Sequence, residues 1–227
     1  MTQPSIVAPA TVIQQLDRSG LLDSGDLRLA LRRCERVLRR HSAYLTRLDA
    51  VLGDGDHGDN LSIGFRAVDD LLRELPQATL PGDLLRAVGH RLVAAVGGAS
   101  GPLYGTAFIE AGFRAGDRPA VDAPQMAVML QAAADGVARR GRCEVGDKTI
   151  LDTLEPAARA FSMAIDDGRP VDEAWGAAVS AGWRGMLATR GMVARRGLAL
   201  RLGDRSVGHL DPGAASCLLL LRAFGGR

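Results

Sequence analysis

The spacing of apolar residues is the feature that most constrains how this chain folds. From residue 26 onward, apolar side chains recur at intervals of three, four and seven residues, which is the repeat of one face of an α-helix. The segments with this repeat are 26–45, 61–75, 84–96, 104–113, 126–137, 150–165, 171–187 and 214–224. No segment alternates apolar and polar residues as a half-buried strand does. We therefore predict an all-α bundle of about eight helices.

The composition is typical of a single globular domain. The chain has 227 residues, of which 47% are hydrophobic and 24% charged, and this length suits one compact domain with a buried core. A net charge of +2 and only 4% aromatic residues give no reason to expect a nucleic-acid partner, which would need a basic patch or stacking rings. We divide the chain into an N-terminal arm or short docked helix, residues 1–24, and a helical domain, residues 25–227.

Cysteine usage and hydropathy favour a cytoplasmic protein. Cys34, Cys143 and Cys217 are odd in number, lie far apart and show no CxxC spacing, as is typical of reduced thiols. The N-terminus has no basic segment followed by an apolar run. The longest apolar stretch, Cys217 to Leu221, is too short to span a bilayer. We therefore expect no membrane association.

The stretch from Leu48 to Asn60, LDAVLGDGDHGDN, has the densest charge in the chain. Asp49, Asp54 and Asp56 lie there among glycines, which allow a tight turn in which carboxylates converge. Two carboxylates about 4 Å apart repel by roughly 4 kcal/mol at an effective dielectric near 20, so three together require a cation. Hard oxygen ligands without the closing Glu of an EF-hand favour Mg²⁺. The alternative is a turn that only caps the next helix.

A second glycine-rich stretch, GGASGP at 97–102, is typical of a turn that leads into a helix. Ser100 or Gly101 suits the N-cap, and Pro102 suits the first helical position. Alone, this stretch indicates only a well-formed helix start. Beside a metal, its N–H groups and the Ser100 hydroxyl would hold phosphate oxygens.

Two more stretches lie at predicted helix starts. The sequence GDKT at 146–149 opens the helix from Ile150, and Lys148 is the only lysine among 28 lysines and arginines. Either this position needs a compact ammonium group or the lysine is there by chance. Asp211 and Pro212 are typical of the N-cap and first residue of the last helix, which is a sufficient role even without a ligand.

Together, the four stretches resemble the nucleotide-binding L subunit of dihydroxyacetone kinase. The matching parts are Leu48 to Asn60 with Gly64-Phe65, and residues 97–105, 146–149 and 203–214, in the family's order. The resemblance covers roughly residues 25–225. It implies that residues 25–227 form an L-type antiparallel helical barrel with its ligand at one end. It also implies that the three aspartates hold two Mg²⁺.

The resemblance further implies which residues contact a bound ADP or ATP. They are His57, Gly58, Asp59, Asn60, Ala99, Ser100, Gly141, Ile150, Leu198, Asp211, Pro212 and Gly213. Leu198 departs from the family, which has an arginine at that position. Losing a phosphate-directed guanidinium removes about 1.5 to 3 kcal/mol of charge-assisted hydrogen bonding. Arg196 and Arg201 are candidates to replace it.

The function implied by the resemblance is transfer of a phosphoryl group to a short-chain hydroxyketone such as dihydroxyacetone. In this family the acceptor is held on a separate K subunit, so this chain would supply half of an active site, and we assign it no catalytic residue. In the family's phosphotransferase-dependent form, a third subunit recharges bound ADP, whereas ATP serves directly in the other form. We expect a homodimer or a hetero-oligomer.

Two alternatives stay open. The first is a paralogous subunit of a tetrose kinase or another small-sugar kinase. The second is a non-catalytic, nucleotide-sensing regulatory partner, which Leu198 and the arginine-rich stretch at 190–205 motivate. That stretch is either a solvated basic face or a docking surface for an acidic partner.

Overall fold

The fold is described by a computed structural model, which covers Ile13 and residues 20–225. Residues 20–225 form eight α-helices and one two-stranded sheet. The helices are α1 (Ser24–Leu52), α2 (His57–Glu74), α3 (Pro81–Ala95), α4 (Ser100–Ala115), α5 (Ala123–Gly141), α6 (Leu151–Asp166), α7 (Val171–Ala188) and α8 (Pro212–Gly225). The predicted all-α fold of about eight helices is confirmed.

The helices form a closed ring in chain order. Each packs against the one before it, and α8 returns to pack on α1. Neighbours run antiparallel, as the contacts of α3 with α4 show: Gly82 faces Gly112, and Gly89 faces Gly105. The longest connection, between α7 and α8, contains 3₁₀ turns at Thr189–Gly191 and Leu198–Ser206. The ring is the antiparallel barrel that the resemblance implied.

The small sheet is a feature that apolar spacing did not predict. Strand β1 (Leu22–Asp23) pairs antiparallel with β2 (Ala120–Val121), which lies between α4 and α5. Asp23 also caps α1, because its carboxylate accepts from the N–H of Asp26 while the Asp26 carboxylate accepts from the N–H of Asp23. Strands of two residues are too short to show an alternating pattern.

The predicted arm at residues 1–24 lies outside the described residues except for Ile13 and 20–24. Ile13 and Leu22 are both buried in the core, and α1 begins at Ser24. None of the helices between residues 20 and 225 combines the length and the apolar character that a bilayer crossing demands.

Helices α3 and α4 lie in direct backbone contact. A Cβ atom added to Gly89 would lie 2.6 Å from the carbonyl oxygen of Gly105, and one added to Gly105 would lie 2.7 Å from the carbonyl oxygen of Gly89. No side chain fits at such distances. Only residues 96–99 connect the two helices, and this turn places Gly97, Gly98 and Ala99 at the end of the barrel that carries the metal loop.

The core inside the ring contains aromatic side chains as well as aliphatic ones, and a buried arginine lies at its edge. Trp175 is fully buried, lies 5.6 Å from the Phe161 ring in an edge-on arrangement, and donates from Nε1 to the carbonyl oxygen of Leu221. At the periphery, the buried Arg28 guanidinium donates to the carbonyl oxygens of Leu72 and Pro76, where a cation stabilises the C-terminus of α2.

Candidate functional site

The predicted metal loop connects α1 to α2 through a sharp turn. α1 ends at Leu52 and α2 begins at His57. Between them, Gly55 has a φ of 75°, a conformation that favours glycine. Each of the three aspartates offers a carboxylate oxygen within 4.8 Å of the others. The structure therefore brings together the three predicted metal ligands, Asp49, Asp54 and Asp56.

Asp49 is the most firmly anchored of the three. Its side chain is buried, and its Oδ2 accepts from the backbone N–H groups of Asp56 at 3.0 Å and His57 at 3.2 Å. These N–H groups belong to the first turn of α2, where no carbonyl of the helix is available to them. The second oxygen, Oδ1, lies against Gly53, where any side chain would collide with it. The turn is thus shaped around this carboxylate.

The surroundings of Asp56 disfavour its charged form. Desolvation raises the pKa of the Asp56 carboxyl, a hydrogen bond from Asn60 opposes that shift, and repulsion from Asp54 and Asp49 raises the pKa further. A divalent cation between the carboxylates would remove this repulsion and reverse its effect. Three hard oxygen donors of this kind fit Mg²⁺.

The carboxylates lie beside a cavity of about 430 Å³ at one end of the barrel. The α1–α2, α3–α4, α5–α6 and α7–α8 connections all contribute to its wall, as expected for an antiparallel ring in which these four connections share one end. The first residues of three helices line it: His57 of α2, Ser100 of α4 and Pro212 of α8. Helix N-termini carry free N–H groups and positive dipole ends, so this cavity suits an anion.

Nine of the twelve predicted nucleotide contacts line this cavity. They are His57, Ala99, Ser100, Gly141, Ile150, Leu198, Asp211, Pro212 and Gly213. The structure brings them together from four connections that are distant in sequence.

The other three predicted contacts, Gly58, Asp59 and Asn60, do not line the cavity. Gly58 packs against the backbone of α1 at Ser42, and Asp59 accepts a hydrogen bond of 2.6 Å from the Ser42 hydroxyl. Asn60 is engaged with the Asp56 carboxylate. Gly58 and Asp59 therefore contact α1, and Asn60 contacts the metal loop, instead of the cavity.

The predicted cap of α4 is wrong. The helix begins at Ser100 with Ala99 as its N-cap residue and no side-chain cap, so Pro102 is the third helical residue instead of the first. The Ser100 hydroxyl is engaged elsewhere, because it lies 3.0 Å from Nδ1 of His57. The glycine-rich turn is thereby joined directly to the metal loop.

Lys148 has a structural role that its rarity alone did not reveal. Its ammonium group is buried and donates to the carbonyl oxygens of Thr189 at 2.6 Å, Met192 at 3.3 Å and His209 at 2.6 Å. All three N–H groups are therefore used. Lys148 ties the α5–α6 loop to the α7–α8 connection and so closes one side of the cavity.

The cavity wall has a leucine at the position of the family's arginine, and its remaining arginines differ in whether they form an ion pair. Leu198 lines the cavity as expected, and of the two candidates to replace the missing arginine, Arg196 lines it while Arg201 does not. The Nε of Arg196 pairs with the buried Asp147 carboxylate at 3.1 Å. Arg140, which sequence reasoning missed, also lines the cavity, and no residue in the described part of the chain forms a hydrogen bond or ion pair with its side chain. Its position depends on tertiary structure, and no local pattern marks it.

The floor of the cavity is apolar. Ile150 and Tyr104 are both buried, and both line the cavity and an apolar chamber of about 130 Å³ inside the barrel. Leu103 adds a further apolar side chain to the cavity wall. The cavity therefore combines carboxylates and helix N-termini with an apolar surface suited to a flat ring.

Asp211 caps α8 as predicted. Its Oδ2 accepts from the N–H of Ala214 at 2.7 Å, and Pro212 is the first helical residue. Burial raises the pKa of the Asp211 carboxyl to about 7, the Ala214 hydrogen bond and the charge of Lys148 oppose the shift, and the charges of Asp152 and Asp49 add to it.

Comparison with known proteins identifies the family. The model of the DAK2 domain matches residues 51–226 of the chain. The chain belongs to the DAK2 domain family. All four connections that form the cavity wall contribute residues within the matched range, and Asp49 lies two residues before it.

Curated relatives of this DAK2 chain include kinase subunits of similar length. The PEP-dependent dihydroxyacetone kinase 2, ADP-binding subunit DhaL, of Listeria innocua is 39% identical over 207 residues, which is 90% of this chain and 94% of that protein. The corresponding Escherichia coli subunit is 38% identical over 192 residues, or 85% and 91%. The D-erythrulose kinase of Mycolicibacterium smegmatis is 34% identical over 179 residues, but these cover only 31% of that protein.

Solved structures share the fold of this DAK2 chain. The native dihydroxyacetone kinase of C. freundii superposes with a TM-score of 0.68 at 21% identity, over 99% of this chain and 37% of that one. The same enzyme in complex with AMP-PNP and Mg²⁺ gives a TM-score of 0.65 at 23% identity. These likenesses confirm the helical barrel.

Proposed function

We propose that this chain is the nucleotide- and Mg²⁺-binding subunit of a dihydroxyacetone kinase, which transfers a phosphoryl group to a short-chain hydroxyketone held on a separate K subunit. One observation carries the proposal. Three carboxylates converge within 4.8 Å on a cavity of about 430 Å³ onto which three helix N-termini open. The relatives named as ADP-binding subunits of dihydroxyacetone kinases support it.

The metal would be held by Asp49, Asp54 and Asp56. Asp49 is oriented by two backbone N–H groups, while Asp54 and Asp56 are exposed towards the solvent side. Bound Mg²⁺, of which we expect two, supplies neutralisation of phosphate oxygens so that in-line transfer becomes favourable. The chain itself binds, orients and shields the nucleotide, and we assign it no catalytic residue.

The nucleotide would lie with its phosphates at the helix N-termini and its base on the apolar floor. Ser100, Pro212 and Gly213 surround the phosphate end, where backbone N–H groups favour anions. Ile150 and Leu103 offer the apolar side chains on which an adenine would rest. Arg140, whose guanidinium has no partner among residues 20–225, would replace the arginine missing at position 198.

We further infer that ADP stays bound and is recharged by a phosphoprotein of the phosphotransferase system, as the names of the PEP-dependent and PTS-dependent relatives suggest for those proteins. The acceptor would be chosen by the K subunit, so the same chain could serve dihydroxyacetone or a tetrose such as erythrulose. The erythrulose kinases among the relatives favour the tetrose as second candidate.

The test is Asp54→Asn, with Asp59→Asn as a matched control. Asp59 lies in the first turn of α2, three residues after Asp56, but its carboxylate accepts from the Ser42 hydroxyl and does not line the cavity. We expect Asp54→Asn to weaken binding of ADP in the presence of Mg²⁺ by at least about tenfold, which is about 1.4 kcal/mol, and to abolish phosphoryl transfer in a complex with a K-type subunit. Asp59→Asn should change neither. Calorimetry and a coupled transfer assay measure both, and retained transfer by Asp54→Asn would refute the metal assignment.

A further inference from the structure

A buried chain of hydrogen bonds runs from the cavity into the barrel. Ser100 Oγ lies 3.0 Å from Nδ1 of His57, and Nε2 of His57 lies 2.8 Å from Ser216 Oγ. Ser216 Oγ lies 2.7 Å from the hydroxyl of Tyr104. His57, Ser216 and Tyr104 are all buried. This series of hydrogen bonds joins the metal loop, the start of α4 and the first turns of α8.

The position of each proton in this series of hydrogen bonds can be assigned by counting donors and acceptors. A serine hydroxyl has one proton and two lone pairs. The Ser216 hydroxyl donates to the carbonyl oxygen of Gly213 at 3.0 Å, so its lone pairs are left for its two other close neighbours. The Tyr104 hydroxyl lies 3.4 Å from the same Gly213 oxygen but 2.7 Å from Ser216 Oγ, so its proton is directed to Ser216, the shorter contact. With its own proton on Gly213, Ser216 also accepts from Nε2 of His57. Any assignment in which Ser216 donates to His57 leaves the 3.0 Å contact with Gly213 without a proton.

The assignment fixes the hydroxyl of Ser100. Neutral imidazole carries one proton, so a ring with its proton on Nε2 accepts at Nδ1. The donor to Nδ1 is the Ser100 hydroxyl, which lies within hydrogen-bonding distance. With its proton directed to His57, the Ser100 oxygen presents only lone pairs to the cavity.

We propose that His57, Ser216 and Tyr104 are positioning residues, which hold the Ser100 hydroxyl so that its oxygen acts as an acceptor towards the ligand. The group that Ser100 contacts is then a cation or a hydrogen-bond donor, namely Mg²⁺ or water bound to it, and not a bare phosphate oxygen. Both ring nitrogens of His57 are occupied by hydroxyls, so the imidazole acts through Ser100. The inference rests on the proposed function, because it takes Mg²⁺ with ADP as the ligand of the cavity.

The first test reads the ring of His57 in the ligand-free protein. The chain has four histidines, and labelling them with ¹⁵N allows the protonated ring nitrogen of His57 to be identified by NMR, with His57→Gln to assign the signal. We expect the proton on Nε2 in the wild type, and we expect this preference to be lost in Ser216→Ala. A proton on Nδ1 in the wild type, or an unchanged ring in Ser216→Ala, would overturn the proposal.

A matched control separates positioning from simple stability. The hydroxyl of Thr153 is also fully buried and donates to the carbonyl oxygen of Ala214 in α8 at 3.0 Å, but it does not contact His57. Thr153→Val should lower the melting temperature, as Ser216→Ala does, while leaving the His57 ring and the affinity for ADP with Mg²⁺ unchanged. Ser216→Ala should weaken that affinity by about tenfold. Equal affinities for the two variants would contradict the positioning role.

The second test asks what Ser100 contacts. We expect Ser100→Ala to weaken binding of ADP with Mg²⁺ by about tenfold and binding of ADP without Mg²⁺ by less than about twofold. The opposite order would show that Ser100 donates to phosphate and would overturn the proposal. If the wild type binds no ADP with Mg²⁺ while its His57 proton is on Nε2, the proposed function fails and the orientation of the hydroxyl chain is upheld.

Discussion

At the scale of residues, the pairing of each cationic side chain in the cavity wall determines whether it is available to bind an anionic ligand. Leu198 contributes no charge, Lys148 has all three N–H groups on carbonyl oxygens, and Arg196 is paired with Asp147. Arg140 is the cavity-lining cation that remains unpaired within residues 20–225. An unpaired guanidinium at the wall of an anion site is available to the phosphates.

Arg140→Met therefore tests whether this guanidinium replaces the missing one. We expect a loss of about 1.5 to 3 kcal/mol in binding of ADP with Mg²⁺, measured by calorimetry. Arg139→Met is the matched control, because the Arg139 side chain is mostly exposed and pairs with Glu110 outside the cavity. Similar losses in the two variants would mean that Arg140 acts only through the general positive charge of the surface.

The buried carboxyl of Asp211 predicts a dependence of stability on pH. Its pKa rises from 3.8 to about 7 on folding, so the folded protein holds this proton more tightly than the unfolded chain. The contribution of Asp211 to the free energy of unfolding is therefore largest at low pH and falls as pH rises from about 4 to about 7.

Asp211→Asn removes this titration and keeps an N-cap side chain for α8. Urea unfolding without Mg²⁺ should show the wild type losing stability relative to Asp211→Asn as the pH rises through that window. A difference between the two proteins that stays constant from pH 4 to pH 8 would contradict the raised pKa.

At the scale of helices, the backbone contact of α3 with α4 determines where the glycine-rich turn lies. Gly105→Ala places a methyl group 2.7 Å from the carbonyl oxygen of Gly89, so the helices must separate. We expect a cost of about 1 to 3 kcal/mol in the free energy of unfolding, measured by urea denaturation. An unchanged free energy of unfolding in Gly105→Ala would contradict this prediction and show that the two helices can separate without cost.

Helix positions could be predicted from sequence, whereas tertiary contacts could not. The apolar repeat located all eight helices, since it reports the face that each buries. The start of α4 was misplaced because proline and serine favour helix starts in general, while here the Ser100 hydroxyl is bound to His57 from another helix. The two-residue strands at Leu22–Asp23 and Ala120–Val121 have no pattern to detect.

Reasoning from the residues alone predicted the part of the candidate site whose residues are close in sequence, whereas the cavity-lining residues of the other three connections were assigned to one ligand only through the family resemblance. Asp49, Asp54 and Asp56 converge because one glycine turn carries them. By contrast, the position of Arg140 in the cavity wall depends on the closed ring. The contact of Lys148 with its three carbonyl partners depends on it as well. The roles of Arg140 and Lys148 depend on their neighbours in the folded ring, and these neighbours cannot be identified from local sequence patterns.

At the scale of the whole molecule, the closed ring collects four connections at one end. The cavity offers carboxylates, helix N-termini and an apolar floor, which together suit a nucleotide with Mg²⁺. On the proposed function, the chain retains its nucleotide in a fixed orientation while a separate subunit presents the acceptor.

Native mass spectrometry of the chain, incubated with ADP and Mg²⁺ and then desalted by buffer exchange, tests this claim most directly. We predict a mass excess equal to ADP plus two Mg²⁺ on the wild type and on Asp59→Asn, and its loss on Asp54→Asn. A wild-type chain that stays bare with ADP and Mg²⁺, and also with ATP and Mg²⁺, would contradict the account.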